Sequence, residues 1–270
     1  MYMKLAILVD NYLTQLSSLR LRLLGEWGFS AYVYDWRILY DTGLSGTALL
    51  NNMKALGISP DDPDVLVISH RHIDHTGGVK ALLSARSRPL TVVAHENLFA
   101  KAYAKDEMGE VEIGVDFTRD FLESRGARLV LIREPYKIAE GVWASGEIPR
   151  RWGPSHTGAV SDIVPDDMAL YIRHPKGLVA LTGCGHAGVE NIVEYGLQVT
   201  GADRLYAIIG GLHFMGLPEA RVREAAGYLK SKGPGLVVGT HCTGVAGIAA
   251  LQAALPDVAK AGGAGAVFEI

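Results

Sequence analysis

The segment Ser69-His70-Arg71-His72-Ile73-Asp74-His75-Thr76-Gly77-Gly78 packs four potential metal ligands into six consecutive positions. Imidazole nitrogen and carboxylate oxygen suit zinc, iron or manganese, and the lack of clustered thiolates argues against an iron–sulfur site. In a turn leaving a strand, His70 and His72 can point to one side and grip one ion. Asp74 and His75, at the mouth of a following helix, can grip a second. Gly77 and Gly78 let the backbone turn tightly beside them. A polar loop that happens to be rich in histidine is the bland alternative. Three His and one Asp at this spacing after a buried strand weigh against it.

Two cysteines, Cys184 and Cys242, are the only thiols in 270 residues, too few for a disulfide framework. Each stands close to a histidine at the end of an apolar run, in Gly183-Cys184-Gly185-His186 and Thr240-His241-Cys242. That placement points to site chemistry more than to stapling. Buried free cysteine is the ordinary alternative.

These residues need elements to hold them. Val65–Ser69 is an apolar run without polar alternation and reads as a strand buried on both faces. Leu5–Asp10, Phe29–Trp36, Ile38–Asp41, Thr91–His95, Leu129–Arg133 and Val142–Ser145 read as further strands. Helices are predicted near Thr47–Leu56, Gly77–Ala85 and Asn97–Lys105. The second half repeats the logic. Met168–Arg173 and Gly177–Thr182 form a hairpin turning at His-Pro-Lys-Gly. Strands at Leu205–Ile209, Leu236–Thr240 and Val267–Ile270 alternate with helices near Gly188–Val199, Glu219–Lys230 and Val245–Ala254. Alternation in both halves predicts two sheets faced by helices, in one domain spanning 1–270.

Composition sets the outer bounds. Hydrophobic residues make up 49% and charged residues 20%, enough apolar material for a sizeable core. A net charge of −3 gives no reason to expect nucleic acid or an anionic membrane as partner. No run approaches the roughly 18 apolar residues of a membrane span, and the N-terminus does not read as a signal peptide. The expectation is a cytoplasmic protein acting on a small molecule. Oligomeric state is not legible.

The His-x-His-x-Asp-His motif resembles the signature of the metallo-β-lactamase superfamily. The resemblance implies an α/β, four-layer αββα sandwich with two ions, zinc first among the candidates, at one edge of the paired sheets. It implies that Asp41, in Asp41-Thr42-Gly43, lies behind the ligands and orients one of them. A ligand from the second half and a bridging Asp after Gly should follow, but Cys184 stands where that Asp is expected. His186 is the candidate third nitrogen for the first ion. Its rival is His156, in Pro154-Ser155-His156-Thr157-Gly158. His241 is the expected ligand from a late strand, with Cys242 packed beside it.

Of the other histidines, His213 follows a strand and two glycines and is a candidate for substrate contact or proton transfer. His95 is a weaker candidate, and His174 reads as an exposed turn residue. Val9-Asp10-Asn11, Gly25-Glu26-Trp27-Gly28-Phe29-Ser30, Ser145-Gly146-Glu147-Ile148-Pro149-Arg150, Asp166-Asp167-Met168, Gly-Cys-Gly-His and His-Cys-Thr-Gly are similar to one subgroup, the dihydropteroate-synthase-like members. There the Cys is part of the pattern. That likeness implies pterin-like chemistry, with Glu147 and Arg150 as substrate anchors or else loop salt-bridge partners. Asp10 and Asn11 would line the cleft rim.

The implied chemistry is hydrolysis by a metal-activated water that Asp74 helps to orient. The alternative is transfer of a pterin from its diphosphate to an aminobenzoate. Iron redox chemistry is a third class. The diiron members carry Glu where this chain has His72, together with an appended flavin domain.

Overall fold

The computed structural model describes residues 3–158, 160, 161 and 163–270. Two seven-stranded sheets face each other. The first runs in the order Val267–Glu269, Lys4–Val9, Ser30–Val33, Ile38–Tyr40, Val65–Val67, Leu90–His95, Ala127–Ile132. The second runs Ala259–Ala261, Leu236–Gly239, Leu205–Gly210, Gly177–Thr182, Ala169–His174, Val142–Ala144, Tyr136–Ala139. Each sheet joins an antiparallel meander to a parallel half. Parallel pairing begins between Ile38–Tyr40 and Val65–Val67 in one sheet, and between Gly177–Thr182 and Leu205–Gly210 in the other. The last strand crosses back to pair with Lys4–Val9.

Side-chain alternation along each strand builds the four layers. Leu5, Ile7 and Val67 point inward to a core shared with Val179, Leu181, Ile209 and Val238 of the second sheet. Ala6, Leu8, Leu66 and Ile68 point outward onto helices Gly46–Ala55 and Val79–Ala85. Leu178, Ala180 and Ile208 point outward onto Val189–Thr200, Glu219–Lys232 and Gly244–Ala254. With both faces covered, the strands carry unbroken apolar runs. Each large aliphatic side chain taken from water contributes about 1.5–3 kcal/mol. The expected αββα sandwich is what the chain adopts.

Two local expectations are corrected. Asn97–Lys105 is not a helix. Its first residues turn, and Tyr103–Asp106 pairs with Gly109–Glu112 as a separate hairpin. The Asp106 carboxylate accepts from the backbone N–H of Met108 and Gly109 and closes that turn, which outweighs the alanine-based helix propensity. His174 is not exposed: it is 5% accessible and stacks on Tyr206, with ring centroids 5.3 Å apart. Among the described residues no helix is long and apolar enough to cross a membrane.

Candidate metal centre

Donor residues follow four strand ends that meet at one edge of the sandwich. Val65–Val67 leads to Ser69 and His70, and Gly177–Thr182 to Cys184 and His186. Leu205–Gly210 leads to His213, and Leu236–Gly239 to His241. Loops at the carboxyl ends of parallel strands are where such folds gather ligands. His72, Asp74 and His75 come from the loop and the short helix Ile73–Thr76.

Two donor sets form. In the first, one nitrogen each of His70, His72 and His186 lies within 4.8 Å of the others. Ser69 Oγ donates to Asp41 Oδ2 at 2.7 Å and therefore accepts from His70 Nδ1 at 2.9 Å. His70 Nε2 keeps its lone pair and faces His72 Nδ1 at 3.0 Å. His186 Nδ1 donates to the carbonyl of His156 at 2.8 Å, and its buried Nε2 has no hydrogen-bond partner. Burial, reinforced by the neighbouring imidazoles, pushes His70 and His186 well below the ordinary histidine range, so both are neutral donors. The Nε2 lone pairs of His70 and His186 are thus both available to a cation placed between them.

In the second set, Asp74, His75, Cys184 and His241 bring their donor atoms within 4.8 Å. Cys184 Sγ is 3.1 Å from His75 Nε2 and 3.4 Å from His241 Nε2. Asp74 Oδ2 is 3.7 Å from the first of these nitrogens and 3.3 Å from the second. Both histidines are held by their far nitrogens, His75 Nδ1 by Asp41 at 2.7 Å and His241 Nδ1 by Asn11 Oδ1 at 2.9 Å. Such supports fix the tautomer that turns Nε2 to a metal. Burial opposes charge here, but attraction between Asp74 and His75 prevails. The carboxyl is driven far below its usual range and His75 is raised to about 9. Burial pushes the Cys184 thiol well above its ordinary value.

The donors suit a borderline-soft divalent ion such as zinc, with three imidazoles at the first position and carboxylate, thiolate and two imidazoles at the second. Gly183 allows the two halves to meet. A Cβ there would lie 2.2 Å from Ser69 Oγ and 2.7 Å from Asp41 Oδ2.

Cys242 is buried, as a packed residue would be, and it donates to the carbonyl of Cys184 at 3.3 Å. Its sulfur also gathers with Cys184 and His213 as a further donor cluster. His213 has φ +49° and tilts against His186 with ring centroids 4.3 Å apart. Such a left-handed, non-glycine backbone is strained, a conformation that recurs at functional sites.

His156 contributes its carbonyl, not its ring, to the first set. Glu147 and Arg150 are not brought to this edge. Glu147 pairs with Arg133 at 3.0 Å, and Arg150 donates to the carbonyls of Ile148, Ile163 and Val164. Both heads are engaged by other parts of the chain, away from the donor sets. His95 Nδ1 accepts from Asn97 N at a strand-end turn. Asp10 and Asn11 do not form the rim; they lie behind His241, with Asp10 Oδ1 accepting from its backbone N–H at 3.2 Å. The sequence reading gave no role to Arg71 and Asp167. Arg71 forms a buried ion pair with Asp166, and Asp167 accepts from Ala187 N at 2.7 Å. One dipeptide thus ties the two ligand loops together. Arg71 inside the histidine motif and the Asp-Asp pair were the available signals.

A cavity of about 640 Å³ opens onto both donor sets. His72, Asp74, Cys184, His186, His213, His241 and Cys242 reach it. The rest of its wall is largely apolar, with Trp27, Leu44, Ile113, Met215 and Leu217 prominent.

Residues 31–187 match the family model of the metallo-beta-lactamase superfamily, and the chain belongs to that superfamily. It is 30% identical over 222 residues to the 7,8-dihydropterin-6-methyl-4-(beta-D-ribofuranosyl)-aminobenzene-5'-phosphate synthase of Methanocaldococcus jannaschii. That match covers 77% of this chain and 76% of the synthase. An uncharacterised protein of the same archaeon is 31% identical over 88% of this chain and 90% of its own length. Among solved structures, Tm1679, a metal-dependent hydrolase of the beta-lactamase superfamily, superposes with a TM-score of 0.84. It shares 25% identity, with 99% of each chain covered.

Proposed function

We propose that this chain is a two-metal enzyme that breaks the bond to an oxyanionic leaving group on a small, pterin-like substrate. The observation carrying this reading is the pair of adjacent donor sets, with Cys184 beside both second-set imidazoles, at the floor of one cavity. When bound, divalent ions in such a pair bring the pKa of coordinated water to about 7 and offset charge on the leaving oxygen.

The protein's own groups do the rest. His70 and His186, kept neutral by burial, would hold one ion together with His72. Asp74, His75, Cys184 and His241 would hold the other, and the second Asp74 oxygen would orient the attacking water. His213 faces the same cavity, and despite burial the neighbouring Cys242 raises its affinity for a proton. It is the side chain suited to protonate the leaving group. Hydrolysis then forms one bond from water oxygen to the electrophile and breaks the bond to the leaving oxygen, with one water proton released.

A second reading is transfer, favoured by the synthase named above. An amine nitrogen would attack the pterin methylene carbon, the carbon–oxygen bond to diphosphate would break, and the amine would lose a proton. Incubating the metal-loaded protein with a 6-hydroxymethylpterin diphosphate, with and without an aminobenzoate, separates the two. Pyrophosphate formed only with the amine supports transfer. Pyrophosphate or phosphate formed without it supports hydrolysis. Undiminished turnover in a His70→Ala, His72→Ala double variant would overturn both.

A further inference from the structure

Trp27 is an unusual residue to leave at a cavity mouth. Half of it is accessible to solvent, as are 40% of Leu44 and 41% of Met215, and all three line the cavity that opens on the donor sets. Leaving large apolar side chains in water forfeits about 25 cal/mol per Å², so such a cluster beside a reactive centre points to a ligand that covers it.

The Trp27 loop is also held in place. Glu26 N donates to the Asp10 carbonyl at 3.1 Å, and the Glu26 carboxylate accepts from Ser45 N and Oγ at 2.9 and 2.6 Å. Gly28 N donates to Asn11 Oδ1 at 3.0 Å. Gly28 has φ +129°, and a Cβ there would lie 2.2 Å from the Asp74 carbonyl, so the loop is seated directly on the ligand helix. The indole packs edge-on to His241, with centroids 5.3 Å apart at 74°. A fixed aromatic surface loses little conformational freedom when a flat partner stacks on it.

The charges on the wall complete the argument. Among the described residues lining the cavity, the ionisable groups are the histidines, cysteines and Asp74 of the donor clusters, and none is lysine or arginine. A substrate anion therefore finds its positive partner at the metal floor, while the rest of the substrate meets apolar surface.

We infer that Trp27, with Leu44 and Met215, is the specificity platform of this site, and that it selects a planar, uncharged heteroaromatic body joined to one oxyanionic group that reaches the floor. This rests on the two-metal reading above and adds the residue that recognises the ring.

The test separates ring from anion. Metal content is measured first in wild type, Trp27→Ala and Trp27→Phe. Equilibrium dialysis then measures binding of 6-hydroxymethylpterin and, separately, of inorganic pyrophosphate to the metal-loaded proteins. Trp27→Ala should weaken the pterin about tenfold, as expected for loss of a stacking partner and its buried area, and Trp27→Phe should recover most of that. Pyrophosphate affinity should be unchanged in both. Equal pterin binding in wild type and Trp27→Ala, or no pterin binding by wild type, overturns the inference. Equal loss of pterin and pyrophosphate in Trp27→Ala also overturns it, because the indole would then be supporting His241. Failure of the wild type to take up metal would sink the two-metal reading instead, a result visible before any pterin is added.

Discussion

Asp41 Oδ2 lies 2.7 Å from His75 Nδ1 and 2.7 Å from Ser69 Oγ, whose own oxygen is 2.9 Å from His70 Nδ1. One buried carboxylate thus orients a ligand in each donor set, one directly and one through a hydroxyl. Asp41 itself has φ +56°, a strained backbone that positions the carboxylate between the two loops.

Asp41→Asn tests this arrangement. The amide can still accept from Ser69 N, but it cannot serve as the anionic acceptor for both Ser69 Oγ and His75 Nδ1. Affinity for both ions should fall by about 10–100-fold, the usual cost of losing a support behind a ligand. Titration with zinc against a competing chelator measures it. A variant that binds both ions as tightly as wild type would show that Asp41 is only structural.

Acidity gives a second expectation. In the metal-free fold His75 is raised from 6.5 to about 9, so its contribution to stability is full below pH 6.5 and is lost as pH rises towards 9. Asp10, raised by burial from 3.8 to about 7, acts in the same direction over a lower window. The metal-free protein should therefore melt at a lower temperature at pH 9 than at pH 6. Metal binding needs His75 neutral and Cys184 ionised, so the loaded protein gains affinity over the same range. Thermal melts with zinc and with chelator should diverge as pH rises, and a gap that narrows would contradict the assignment.

His186 and His156 make a clean comparison. His186→Ala removes a nitrogen from the first set and should leave one ion bound per chain. His156→Ala keeps the carbonyl that holds His186 Nδ1 and should retain two. Metal analysis after dialysis reads both. Retention of two ions by His186→Ala would reopen the choice between them.

Much of this was legible beforehand, for local reasons. The His70–His75 cluster, and the apolar runs that place His186 and His241 at strand ends, are short-range patterns set by strand periodicity. What escaped depended on distant contacts. Asn11 and Asp10 look like rim residues until folding places Thr240–His241 against them. Arg150 looks like an anion anchor until the loop at Ile163 and Val164 supplies carbonyls for its guanidinium. The Tyr103–Glu112 hairpin was hidden beneath an alanine-containing stretch. Only the Asp106 turn betrayed it.

Cys184 carries the last prediction, because it stands where the superfamily places a carboxylate. If its sulfur is a ligand, cobalt(II) in the second position should give a near-ultraviolet thiolate charge-transfer band in the wild-type protein. Cys184→Ala should lose that band and hold the second ion more weakly, while the three imidazoles of the first set keep theirs. Cys184→Asp should lose the band but retain two ions, since a carboxylate offers an oxygen to the same position. A band that survives in Cys184→Asp would identify Cys242, the other thiol in the cluster with His213, as the sulfur that meets the metal. The burial that raises the Cys184 thiol also gives a kinetic readout. Metal-free protein should react slowly with alkylating reagents at neutral pH, because little thiolate is present to attack them. Rapid alkylation of Cys184 in the metal-free protein would mean that the thiolate exists without an ion to stabilise it.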